Sequence, residues 1–201
     1  MSIKKILFLS AFFIMAFAQD IFANCTWTKV CVGGHHTMAI RADGTLWAWG
    51  RGSSGQLGNG SFSGKSTPTQ VGTANSWVKI AAGGDHSLAI NSSGQLWAWG
   101  KNSSGQLGDG TTTNRSTPVL VTGGGYWTDI GAGDNHTFGA KNGIQIFGWG
   151  QNTIWQLGLG TTNTSNSAIP IQRYIDFGSP YYNANPSLSG YGAHTALCTR
   201  S

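Results

Sequence analysis

Apolar residues along this chain come in short runs, such as Met38-Ala39-Ile40, Leu46-Trp47-Ala48-Trp49 and Leu88-Ala89-Ile90. Turn formers separate them: Asn91-Ser92-Ser93-Gly94, Gly105-Gln106-Leu107-Gly108-Asp109-Gly110 and Thr117-Pro118. Brief apolar, aromatic-rich runs bounded by Gly, Asn, Ser and Pro predict β-strands joined by tight turns. No helical periodicity persists beyond the N-terminal segment. Leu96-Trp97-Ala98-Trp99 is apolar on both alternating faces, so each predicted sheet should be covered on both sides.

The pattern repeats. Trp27, Trp77 and Trp127 open three units spaced by 50 residues. In the same register stand His36, His86 and His136, then Trp49, Trp99 and Trp149, then Gln56, Gln106 and Gln156. A fixed period of this length marks a solenoid or a propeller. The units are 27–76, 77–126 and a stretched third, 127–184. A partial fourth, 185–201, aligns His194 with His36 but stops before a second Leu-Trp-x-Trp-Gly run.

The recurring order is Trp, an apolar step, Gly, His-Ser/Thr, Ala-Ile, Leu-Trp-x-Trp-Gly, Gly-Gln-Leu-Gly-x-Gly and Thr-Pro. It closely resembles the regulator-of-chromosome-condensation repeat. The resemblance implies an all-β fold, a β-propeller of four-stranded antiparallel blades, of which this chain holds about three and a half. Family propellers are typically seven-bladed. Propellers close with about four to eight blades, and four complete units are longer than the stretch from Asn24 to Ser201, so one chain is not expected to close a ring of whole blades. A fragment of a longer protein is the favoured reading. Assembly from several chains through open blade edges, or an arc capped by its own tail, are the alternatives.

The first residues change the expected location. Lys4 and Lys5 precede an apolar run from Ile6 to Ala18, too short for the roughly 20 residues of a membrane-spanning helix. Residues 1–23 therefore read as a signal peptide cut after Ala18 or Ala23, with secretion or a periplasmic location expected and no stable membrane insertion after cleavage. An uncleaved anchor is the lesser alternative. Three cysteines lie beyond this segment: Cys25 and Cys198 are a candidate disulfide in an oxidising compartment, and Cys31 alternatively packs as a buried thiol.

Charge changes little. The formal net charge is +5 and the sequence pI about 9.3, yet Arg51, Lys65, Lys79 and Lys101 stand singly, so nucleic acid is disfavoured as a partner. The glycine loops run towards another strand instead of opening a helix, which argues against a phosphate cradle. Equivalent histidines in separate blades stand too far apart to share a metal, and each is expected to tie a turn to backbone. Glutamate is absent, and neither paired carboxylates nor a Gly-x-Ser-x-Gly elbow recurs, so no enzyme and no cofactor are expected.

The copies disagree at a few loop positions. Trp155 replaces Gly55 and Gly105, Ile154 replaces Ser54 and Ser104, Phe62 replaces Thr112, and Tyr126 replaces Ser76. The stretched tail adds Tyr174, Phe177, Tyr181 and Tyr182. Large aromatics in polar loops have the composition of protein-binding hot spots. The expected function is thus a secreted, non-enzymatic protein-binding module with an unidentified protein partner. The resemblance implies one alternative, guanine-nucleotide exchange on a small GTPase, for which no residue here can be mapped; a carbohydrate-binding or enzymatic propeller is another, since fold does not fix function and an exposed Trp155 could stack on a sugar ring. Secreted bacterial propellers that inhibit β-lactamases also belong to the resemblance.

Overall fold

The computed structural model describes residues 26–142, 145–170, 187–191 and 194–198, with backbone alone from residue 168 onwards. Three four-stranded antiparallel sheets follow one another. The first holds β1 (Trp27–Val32), β2 (His36–Arg41), β3 (Leu46–Gly50) and β4 (Lys65–Gln70) in sequence order. The second holds β5 (Trp77–Ala82), β6 (His86–Asn91), β7 (Leu96–Gly100) and β8 (Arg115–Leu120). The third holds β9 (Trp127–Ala132), β10 (His136–Lys141), β11 (Gln145–Gly150) and β12 (Ser165–Pro170). A two-stranded hairpin of β13 (Ser187–Tyr191) and β14 (His194–Cys198) opens the partial fourth unit, with β13 beside β9. These are the blades expected from the repeat, and the chain is an arc of a β-propeller.

The core lies between blades, not within them. Met38, Ile40, Leu46, Ala48 and Leu57 of blade 1 pack on Trp77, Ala89 and Trp99 of blade 2. One unit later, Leu88, Ile90, Leu96, Ala98 and Leu107 pack on Trp127, Ile130, Ala132 and Trp149 of blade 3. Alternation explains this: each strand sends one set of side chains forward and the other back, so an all-apolar strand serves two joints. Double coverage holds for blades 2 and 3. On blade 1, by contrast, Trp27, Val30 and Val32 are 39%, 58% and 72% exposed, while Trp77 and Trp127 are 7% and 2% exposed.

The glycine loops are turns that key into the next blade. Gly58 and Gly108 adopt φ of 67° and 66°, and a Cβ on either would stand 2.6 Å from Nε1 of Trp99 or Trp149. Both a left-handed backbone and a missing side chain are therefore needed there. The loop then reaches across, where Gly60 N–H donates to Ser116 O at 2.8 Å and Gly110 N–H to Asn166 O at 2.9 Å.

Candidate functional site

Both joints whose side chains are described are closed by a polar lock made from the residues that recur. His36 Nε2 lies 2.7 Å from Ser87 Oγ, Ser87 Oγ–H donates to Gln56 O at 2.8 Å, and Trp99 Nε1–H donates to the same carbonyl at 3.0 Å. The second joint reproduces it with His86 and Thr137 at 3.0 Å, Thr137 and Gln106 O at 2.8 Å, and Trp149 and Gln106 O at 3.0 Å. A hydroxyl has one proton, and here it goes to the carbonyl, so histidine Nε2–H must be the donor. The imidazoles are thus neutral Nε2–H tautomers that bridge successive blades. This corrects the expectation that each ties its own turn to backbone: the partner is a side chain in the following unit.

Burial enforces that state. Desolvation, with a smaller opposing pull from Asp85 and a push from His35, lowers the His36 pKa to about 4. Desolvation together with the neighbouring His36, His136 and Lys101 lowers that of His86 to about 3. Nδ1 of both rings is buried without a hydrogen-bond partner, tolerable for a bare lone pair but not for the N–H that protonation would add. His136 is likewise 1% exposed. The adjacent His35 points the other way, with a side chain 60% exposed and 3.6 Å from Asp85 Oδ1.

The carboxylate in the second glycine loop is structural. Asp109 accepts from Thr111 N–H and Oγ1–H at 2.9 and 2.7 Å, from Asn102 Nδ2–H at 3.0 Å and from Arg115 at 2.9 Å. Burial works to raise its pKa, but the hydrogen bonds from Thr111, Arg115 and Asn102 outweigh it and hold the carboxyl below its usual range. Asn102 and Asn152, both fully buried, organise these loops by accepting from Leu107 N–H and Leu157 N–H at 3.0 and 2.9 Å. Sequence reasoning missed them because Gly52 holds the place in unit one, which hides the pattern.

Cys31 is a free, half-buried thiol whose pKa desolvation pushes up to about 12 against a smaller lowering by the Met38 backbone, so it is protonated and unreactive at neutral pH. Cys25 and residues 1–23 lie outside the described residues, and of Cys198 only the backbone is described, so the candidate disulfide and signal peptide both fall outside what the structure describes. Among the described residues no helix is long and apolar enough to cross a membrane. Among them, too, no group of three or more His, Cys, Asp or Glu residues is placed to hold a metal.

The loop departures divide between the two ends of the blades. The β1–β2 turn and β3–β4 loop share one end, as the bond from Arg51 N–H to His35 O at 2.8 Å shows. Phe62, Ile154 and Trp155 stand there, 53%, 52% and 64% exposed. Trp155 holds a left-handed φ of 59°, and its turn is closed by Gly158 N–H to Trp155 O at 2.9 Å. Ile154 N–H donates to Gln156 Oε1 at 2.9 Å, as Ser54 and Ser104 N–H do to their own glutamines. Ile154 and Trp155 are therefore presented together on one hydrogen-bonded turn. Phe62 lies on another blade, and Tyr126, 56% exposed, sits at the opposite end against Gly94. Tyr174, Phe177, Tyr181 and Tyr182 fall outside the described residues.

The model of the regulator of chromosome condensation (RCC1) repeat matches residues 43–90 and 93–140, and a second model of the same repeat matches 27–56 and 77–106. The chain belongs to the RCC1 repeat family. The mitochondrial RCC1 domain-containing protein RUG3 of Arabidopsis thaliana is 36% identical over 44 residues, 22% of this chain and 10% of its own length. Among solved structures, human WBSCR16 is similar with a TM-score of 0.72 and 24% identity, covering 87% of this chain and 46% of that one. Prp20p of Saccharomyces cerevisiae, studied for binding to Gsp1p and histones, gives 0.71 and 19%, covering 86% and 43%. At these identities the likeness shows the fold, and this RCC1-repeat arc spans under half of each solved chain.

Proposed function

We propose that this RCC1-repeat arc is a secreted, non-enzymatic protein-binding module whose contact residues are the loop departures, led by Trp155 and Ile154. One observation carries the reading: Trp155 keeps a large apolar ring 64% exposed in a turn that its sister units build with glycine. A non-glycine residue in the left-handed region costs about 1–2 kcal/mol, and at 64% exposure the ring regains little by burial. Rigid aromatics that lose little entropy on binding are what anchors of protein interfaces are made of. The apolar segment at residues 6–18 supports export. That a solved fold neighbour, Prp20p, is described as binding Gsp1p, Kap60 and histones is in keeping with a protein partner.

The test pairs recovery of binding partners with thermal unfolding for Trp155→Ala and Ile154→Ser. The expected result is loss of every specifically recovered partner with an unfolding temperature unchanged or slightly raised. Unchanged recovery would place the contact face elsewhere. Guanine-nucleotide exchange, implied by the family, is the second reading. A nucleotide-release rate above the spontaneous one on a GTPase panel would promote it.

A further inference from the structure

Each blade carries an aromatic pair at the same two positions: Trp27 with Trp47, Trp77 with Trp97, and Trp127 with Phe147. Their ring centroids stand 6.2, 6.3 and 5.4 Å apart at interplanar angles of 81°, 84° and 68°. In blades 1 and 3 a cation at the end of the second strand lies over the rings. The Arg41 guanidinium is 3.8 Å from the Trp47 ring centre and 5.0 Å from that of Trp27. The Lys141 ammonium is 4.3 Å from the Trp127 ring centre and 4.4 Å from that of Phe147, and it donates to Gly123 O at 2.9 Å.

In blade 2 the equivalent residue is Asn91, which carries no charge and is shorter. Its amide is spent on its own turn, where Nδ2–H donates to Gln95 Oε1 at 2.8 Å and Oδ1 accepts from Gln95 N–H at 2.9 Å. A cavity of about 250 Å³ stands against Trp77 and Trp97, lined also by Thr73, Ser76, Asn91 and Pro118, with no charged residue in its wall. Thr73 occupies the repeat position of Gly123, whose carbonyl receives the Lys141 ammonium. The Nε1–H groups of both tryptophans are buried without a partner. The aromatic geometry of blade 2 is nevertheless that of blade 1, so the cage is formed without its cation.

We propose that this cavity binds an organic cation: an ammonium or guanidinium group on an aliphatic stem, seated where Arg41 and Lys141 sit in the sister blades. Such a group is drawn to the negative faces of the two indoles, and more strongly when partly desolvated. The stem meets the apolar walls formed by Val71, Ala74 and Pro118. This site stands independently of the protein-binding reading at Ile154 and Trp155, at the other end of the blades.

The experiment titrates n-butylammonium and n-butylguanidinium chloride into the full chain and follows the indole N–H signals of Trp77 and Trp97 by NMR, with n-butanol as the neutral isostere. Saturable shifts of both signals are expected with the cations, and an affinity about tenfold weaker with butanol. Asn91→Arg and Asn91→Lys, which restore the residue types of blades 1 and 3, should abolish cation binding and raise the unfolding temperature. Tighter binding by a capped Gly-Lys-Gly peptide than by butylammonium would identify a protein side chain as the occupant; equal or weaker binding would identify a free small cation. Absence of saturable shifts, equal shifts with butanol, or cation binding that survives both Asn91 variants would overturn the proposal.

Discussion

The leading faces of blades 1 and 2 are built from the same residues and live in different surroundings. On blade 2, Ser87 and Trp99 are fully buried and donate to the Gln56 carbonyl of the preceding blade. On blade 1, Thr37 and Trp49 hold the same positions, are half-buried, and face no such loop among the described residues. The difference teaches that the repeated residues have their meaning at a joint. The recurring hydroxyl and indole of this lock support the fold where two blades meet, whereas on blade 1 Thr37 and Trp49 are half-exposed side chains.

Truncating an indole separates the two faces most strongly. Trp99→Ala should cost about 3–5 kcal/mol, because it leaves a void in a close-packed joint and strips Gln56 O of a donor. Trp49→Ala should cost markedly less, its ring having no such joint to empty. Chemical denaturation of both variants checks this. Gly108→Ala comes next: its Cβ would stand 2.6 Å from Trp149 Nε1 on a left-handed backbone, for an expected loss of about 2–3 kcal/mol. Gly158→Ala, which meets nothing within 4 Å at a φ of 66°, should show only the backbone penalty of about 1 kcal/mol.

Acid should weaken the joints before it weakens anything else. With folded pKa values of about 4 for His36 and about 3 for His86, both below the ordinary histidine value, the unfolded chain takes up protons first as pH falls. Their contribution is complete above about pH 6.5 and is lost towards pH 4 and below, at about 1.4 kcal/mol per pH unit for each histidine. Denaturation between pH 7 and 4 should therefore steepen for the native chain and flatten in His86→Gln. The smallest effect is expected on the bare face, where Val32→Thr, at a side chain 72% exposed, should change stability by less than about 0.5 kcal/mol.

The same contrast explains what the sequence revealed. Blades, strand order and the glycine turns were legible, because period and turn chemistry act within one unit. Partner choice was not, since His36 finds Ser87 and His86 finds Thr137, each 51 residues on in the next unit. Aligning copies sets His36 above His86 and hides that it bonds the residue after it. Exposure of Trp155 was legible as a departure from glycine. That Tyr126 lies at the other end from Phe62, Ile154 and Trp155 was not, because it depends on which strand ends the antiparallel path brings together. The cation missing at Asn91 was readable as Arg41, Asn91, Lys141, but the series has meaning only once the aromatic pairs beneath it are seen.

The most direct test removes the same hydroxyl from both faces. Ser87→Ala takes away the group that joins His36 to Gln56 O, whereas Thr37→Val removes its counterpart from blade 1 with little change in shape. Equilibrium denaturation at pH 7 should show a loss of about 1–3 kcal/mol for Ser87→Ala, the cost of buried polar groups left unpaired, and less than about 0.5 kcal/mol for Thr37→Val. Equal losses at the two positions would contradict the account, because the repeated residues would then act within their own blades and not as locks between them.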